Sequence, residues 1–358
     1  MPSLKEIKGR INSISSTLAI TSAMKMVAAA KLQKAQMAIQ NMLPYERRLH
    51  SMLIDLMGAM NISAAASEDG SVRGSGSAER GFDQSGDRLS LSNRHDLAGM
   101  DGAYSLMAQR EVRKVAIVAF ASNSSLCGAF NSNAIREATA VINEYRASGL
   151  GDADITVYSV GRKMAEAMRK LGFPSPADFT KMSDSPSYEA ASALAQELLD
   201  GFVSGRFDKV ELVYNHYKST SSQPTTRQTY LPLSLADATA DLQAGKIADS
   251  ASESDTNRGA EPVGAPVVRQ GSPTTEDLIV EPSKEALIAT LLPKVIRLRI
   301  FTTLLDSAAA EHAARTVAMQ LATDNGNDLL QELTLEYNKG RQQKITSEIL
   351  DLVGGSLQ

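Results

Sequence analysis

Four histidines, His50, His95, His216 and His312, and one cysteine, Cys127, are the side chains of this 358-residue sequence whose types could supply nucleophilic, general-base or metal-ligating chemistry. They do not assemble into a recognisable pattern. None of the histidines shows a metal-ligand or nucleophile spacing, and one cysteine excludes an internal disulfide and any multi-cysteine zinc site. Nothing near Cys127 in sequence would lower its pKa, so it reads as a small buried apolar residue. His312, beside Glu311, reads as a helix-surface histidine. Phosphate chemistry lacks its signatures too, since there is no G-x-x-x-x-G-K-[ST] loop and no G-x-G-x-x-G after a strand. The turn Ser122 to Gly128 offers hydroxyls, but its Leu126 and Cys127 suit packing better than phosphate cradling. The chain reads as non-catalytic on its own, with no cofactor and no metal.

The elements around these residues alternate. Val112 to Ala121 is an apolar run suited to a buried parallel strand, followed by a helical stretch from Asn131 to Ala147. Ile155 to Gly161, Arg162 to Leu171, Glu189 to Ser204 and Lys209 to Asn215 continue strand and helix, and Thr225 to Leu233 and Asp277 to Glu281 read as further strands. This pattern predicts a doubly wound α/β body over 106–243. Two segments interrupt it, 63–105 and 244–275, both rich in Gly, Ser and Asp and read as flexible insertions. The segment 276–283 reads as a last strand.

The two ends are different again. Residues 1–62 and 284–358 read as long helices. In the first, Ile7, Ile11, Ile14, Leu18, Thr21, Lys25, Ala28, Leu32, Ala35, Ile39 and Met42 recur at alternating steps of four and three, the spacing of a coiled-coil seam. In the second, Leu330, Leu333 and Tyr337 keep that spacing, and Ile345, Ile349 and Leu352 resume it after a polar run. A helix from Leu4 to about Met60 spans roughly 80 Å, which predicts a rod projecting from the body. Pro44 predicts a kink or short break in it. The fold class is therefore α/β: a long antiparallel coiled coil of N- and C-terminal helices plus a Rossmann-like central α/β domain.

Net charge is only −4, but residues 1–50 carry Lys5, Lys8, Arg10, Lys25, Lys31, Lys34, Arg47 and Arg48 against Glu6 and Glu46. A rod this basic suits an acidic partner. Nucleic acid is disfavoured: Trp is absent and no aromatic residues interleave with the basic ones to stack on bases. No apolar run spans a bilayer, and the opening Met1-Pro2-Ser3-Leu4-Lys5 has neither a signal peptide's apolar core nor the Arg/Ser-rich lead of a transit peptide, so the chain reads as cytoplasmic. A coiled-coil scaffold or adaptor with an α/β head satisfies everything read so far.

Three motifs go further. Leu4-Lys5-Glu6-Ile7 with Ile20-Thr21-Ser22-Ala23-Met24-Lys25-Met26-Val27-Ala28-Ala29-Ala30-Lys31-Leu32 resembles the opening of the gamma subunits of bacterial-type F1Fo ATP synthases. Glu311-His312-Ala313-Ala314-Arg315, Ala322-Thr323-Asp324-Asn325 and the run Leu333 to Ile349 are similar to that family's C-terminal signature. Leu126-Cys127-Gly128-Ala129-Phe130-Asn131 stands where the family has its Leu-Cys-Gly turn. The resemblance implies a central-stalk rotor, peripheral on the cytoplasmic face of the bacterial inner membrane. Its implied partners are the α and β subunits as an α3β3 hexamer, the epsilon subunit and the c-ring, with the membrane met only through the Fo sector. It also implies residue roles: Met24 and Lys25 against the beta-subunit lever loop, with Lys31 and Lys34 as additional charges. Arg341, Gln342 and Thr346 would face the beta catch loop and Leu278, Val280 and Glu281 the c-ring, while Arg315 matches a signature position near the coil's lower part. Exposed ion pairs contribute only about 0.2 to 1 kcal/mol each, which suits a contact that slides. In the plant chloroplast form an insertion carries a redox-active cysteine pair; 244–275 holds no cysteine, so no such switch is implied here.

Overall fold

The structure is a computed structural model that describes residues 3–59, 106, 109–233 and 284–355. Four strands form one sheet, β1 (Val115–Phe120), β2 (Ile155–Val160), β3 (Lys209–Asn215) and β4 (Thr225–Leu231), in the order β2-β1-β3-β4. The first three are parallel and β4 runs antiparallel to β3. Six α-helices and a short 3-10 turn (Asp152–Asp154) accompany the sheet among the described residues: α1 (Leu4–Ala59), α2 (Phe130–Ala147), α3 (Arg162–Lys170), α4 (Thr180–Asp184), α5 (Tyr188–Val203) and α6 (Lys284–Gly355). The predicted strand at Asp277 to Glu281 and both insertions lie outside the described residues.

β1 explains the layering. Its six residues are apolar and buried, and alternate side chains serve opposite faces, as a strand's two-residue period requires. Val115, Ile117 and Ala119 face a core with Ala134, Ala138 and Ile142 of α2 and Met164 and Met168 of α3. Ala116, Val118 and Phe120 face a larger core with Leu194 and Leu198 of α5, Leu292 and Ile296 of α6, and Leu49 and Leu53 of α1. The long helices are thus one wall of the head as well as a rod. Gly161, just after β2, has φ +99°, and a Cβ there would lie 2.0 Å from the Ala121 carbonyl oxygen, so only glycine lets the strand ends close.

α1 has 56 residues and α6 has 72, roughly 80 and 110 Å. α1 runs unbroken through Pro44, contrary to the predicted break. The lost donor costs on the order of 3 kcal/mol in an isolated helix. Burial of Leu49, His50 and Leu53 immediately beyond offsets that cost and keeps the segment helical. α6 likewise passes through Pro293 beside the buried Leu292 and Val295.

Candidate functional site: the coiled coil and its joint with the head

The coil's register can be read from its close contacts. A Cβ on Gly326 would lie 2.7 Å from Leu18 Cδ2, and one on Gly340 would lie 3.1 Å from Leu4 Cδ2. Between these points α1 retreats by as many residues as α6 advances, so the helices are antiparallel and in step. Thr21 and Thr323 meet on the same register, their hydroxyl oxygens 3.2 Å apart, which places the seam's polar position against a polar partner. Along α1, Ile7, Ala28 and Leu32 are buried and Ile11, Ile14, Leu18, Thr21 and Lys25 half-buried.

Ile345, Ile349 and Leu352 do not lie in this seam. They are 47%, 54% and 75% exposed, because the register that sets Leu4 against Gly340 runs off the start of α1 before Ile345 is reached. Among the described residues the end of α6 therefore extends beyond α1 as a single helix. Arg341, Gln342 and Thr346 are exposed on this stretch, and the Thr346 hydroxyl is turned inward, donating to the Gln342 carbonyl at 2.9 Å. On α1, Met24 is half-buried, whereas Lys31 and Lys34 are exposed, as are the apolar Ile20 (61%), Met26 (65%) and Val27 (58%). Leu278, Val280 and Glu281 lie outside the described residues.

The Leu-Cys-Gly turn, the Lys31-Leu32 end of the first motif and the Glu311 to Arg315 start of the third, far apart in the chain, come together near the C-terminal ends of β1 and β3. That is the crevice where open α/β sheets hold ligands. Here α6 fills it. Cys127 is buried with Phe130 against Ala310, and a Cβ on Gly128 would touch Ala318 at 3.8 Å. Leu126 adopts φ 68° to make this turn, and Asn131 ties it together, donating to the Ser124 carbonyl at 3.2 Å and accepting from the Ser122 N–H at 3.0 Å. Arg315 donates to Glu311 at 2.6 Å and to the Ser124 hydroxyl at 2.8 Å, linking coil to turn. Burial raises the pKa of the Glu311 carboxyl, opposed chiefly by Arg315; the charge of Asp184 adds to the rise and that of Lys31 on α1 to the opposition.

His312 departs from the expected surface histidine. It is half-buried, and burial, with Arg315 and Lys31 nearby, lowers its pKa to about 4, so its ring is neutral at physiological pH. His50 is also buried and lowered to about 4, by burial and then Arg299. Sequence reasoning missed a second fastening: the Asp306 carboxylate accepts the Tyr217 N–H at 2.8 Å and faces His216 Nδ1 at 2.6 Å. It also missed a charge cluster around the buried Glu211, which meets Lys209 at 2.6 Å, Arg227 at 2.7 Å and the Tyr145 hydroxyl at 2.6 Å. An acidic residue inside an apolar strand was the available signal for that cluster. Among the described residues no group of three His, Cys, Asp or Glu side chains could hold a metal, and no helix is long and apolar enough to cross a membrane.

The family model described as ATP synthase matches residues 3–357. The chain is 46% identical over 357 residues to the ATP synthase gamma chain of Phocaeicola vulgatus, covering 100% of both. It is 44% identical over 358 residues to that of Bacteroides thetaiotaomicron, again covering 100% of both. To that of Flavobacterium johnsoniae it is 36% identical over 356 residues, covering 99% of this chain and 98% of the other. Its fold is similar to that of a chain in the Euglena gracilis mitochondrial ATP synthase OSCP/F1/c-ring structure, rotational state 3. The TM-score is 0.51 at 18% identity, over 98% of this chain and 92% of that one.

Proposed function

The chain belongs to the ATP synthase gamma-chain family, and from that premise we propose how its residues carry the family's task. It is the central-stalk rotor subunit, coupling ion-driven rotation of the c-ring to ATP synthesis or hydrolysis at the beta subunits. Its partners are the hexamer of alpha and beta subunits, the epsilon subunit and the c-ring. It is one subunit of an enzyme complex. In this reading the chemistry takes place on the beta subunits and this chain supplies none of it. Its position is peripheral, on the cytoplasmic face of the bacterial inner membrane.

One observation carries the mechanical reading. α6 begins in the head's core at Ile288, fills the crevice at the strand ends, and continues without interruption to an unaccompanied tip. A single hydrogen-bonded helix paired along most of its length is a stiff member, so rotation of the head turns the tip. Three chemically equivalent beta subunits can be biased differently only by surfaces of the shaft that differ around its axis. Met24, Lys25, Lys31 and Lys34 on one helix and Arg341, Gln342 and Thr346 on the other are the side chains assigned to that contact. Their support is exposure or half-burial on the rod. Leu278, Val280 and Glu281 are assigned to the c-ring.

The test is co-expression with alpha and beta subunits, followed by mass measurement and ATPase assay of the purified complex. One copy of this chain per hexamer with multi-site turnover is the expected result. A chain that remains folded and alone would favour the scaffold alternative.

A further inference from the structure

We propose that His216 and Asp306 form a proton-operated latch that fastens the head to the shaft. The loop joining β3 to β4 clasps both long helices. Tyr217 accepts a hydrogen bond on its hydroxyl from Gln36 of α1 at 2.6 Å, and its ring packs with Ala35, Ile39, Ala309 and Ala313. Its N–H is held by one oxygen of Asp306 on α6, while the other oxygen faces His216 Nδ1 at 2.6 Å. The His216 backbone N–H donates to the Pro224 carbonyl at 2.8 Å, so the backbone that carries the ring is held by the hairpin itself.

The charged groups bearing on His216 are Asp306 from α6 and Lys218 from its own loop. From α1 the joint meets the neutral Gln36, Ala35 and Ile39. The hydrogen bond that His216 donates to Asp306 raises the His216 pKa above its ordinary value, outweighing burial and Lys218. The side chain is 51% exposed, so solvent protons reach it directly. A raised folded pKa means the latch's contribution is fully present below about 6.5 and declines as pH rises through the folded value. Above it the neutral ring keeps at most a hydrogen bond to Asp306 and loses the charge assistance. The consequence is a joint between head and shaft that stiffens as the surrounding solution acidifies.

The consequence for torque rests on the rotor reading, but the latch can be tested on the full chain without partner subunits. Histidine-selective NMR should give His216 a titration midpoint above about 6.5, returning toward that value in Asp306→Asn. Hydrogen exchange in residues 216–224, corrected for intrinsic rate, should be slower at about pH 6 than at about pH 8.5. That difference should vanish in His216→Gln, while His216→Lys, which stays charged, should keep exchange slow at both. A wild-type midpoint at or below about 6.5, or an unchanged pH dependence in His216→Gln, overturns the proposal. The wild-type midpoint decides the matter even if a variant fails to fold.

Discussion

The ion pair of Glu311 and Arg315 shows how far a side chain's role depends on what surrounds it. In sequence the two stand four residues apart on one helix. In the structure their side chains are 10% and 12% exposed and Arg315 reaches Ser124 in the head. Removing one partner of a buried pair leaves the other charged and unsatisfied, at a cost of about 3 kcal/mol or more. Arg315→Ala should therefore lower the urea midpoint of the isolated chain, and adding Glu311→Gln should recover part of the loss. A variant as stable as wild type would move Arg315 from the head joint to partner contact alone. Met24 presents the opposite case. It is half-buried beside the seam position Lys25, and its replacement by Lys adds a second positive charge to that turn. The chain should still fold, with ATP hydrolysis less well coupled to ion pumping in the assembled enzyme. Undiminished coupling in purified complex would take Met24 off the list of torque contacts.

For the helices, register is the quantity that decides function. The same four-three spacing marks Ile7 to Leu18 and Ile345 to Leu352, yet among the described residues only the first set packs against a partner helix, because α1 begins at Leu4. Ile345, Ile349 and Leu352 lie on a largely exposed stretch, so truncation after Lys344 should leave the melting temperature of the isolated chain unchanged within about 1 °C. The same truncation should weaken assembly with the alpha and beta subunits, since a bare apolar helix tip marks a contact surface. A marked drop in melting temperature would show that the tip folds back on the coil. Pro44 teaches the complementary lesson. A local breaker is overruled where the helix beyond it is fixed by core residues such as Leu49 and Leu53.

At the scale of the whole molecule, head and shaft share one core, and their joint is polar as well as apolar. His50 and His312 stay neutral in the folded state, with pKa values lowered to about 4, whereas in the unfolded chain they titrate near 6.5. The unfolded state then binds more protons as pH falls through about 6.5, so stability declines on acidification across that window. Thermal unfolding of the isolated chain should show a melting temperature that falls from pH about 7 to about 5, with a shallower slope in the double variant His50→Gln, His312→Gln. A double variant with the wild-type slope would place the acid sensitivity elsewhere. His216 acts in the reverse sense, its raised pKa adding stability on the acid side, so the double variant also exposes its contribution.

Much of this was legible in the sequence, and the reasons are local. The four-three spacing over the first helix, the uninterrupted apolar run of β1, the strand and helix alternation, and the absence of phosphate loops follow from backbone periodicity and side-chain chemistry, which neighbouring residues settle among themselves. The three motifs pointed to the family. What periodicity could not supply was the phase between distant segments. Nothing within Ile345, Ile349 and Leu352 says that their partner helix has already ended. Nor does a lone His312 reveal that α6 occupies the crevice at the strand ends, or Asp306 that a loop ninety residues earlier will clasp it. Those outcomes depend on where the head holds α6 relative to α1, a relation fixed by packing in the shared core and therefore decided only by the tertiary structure.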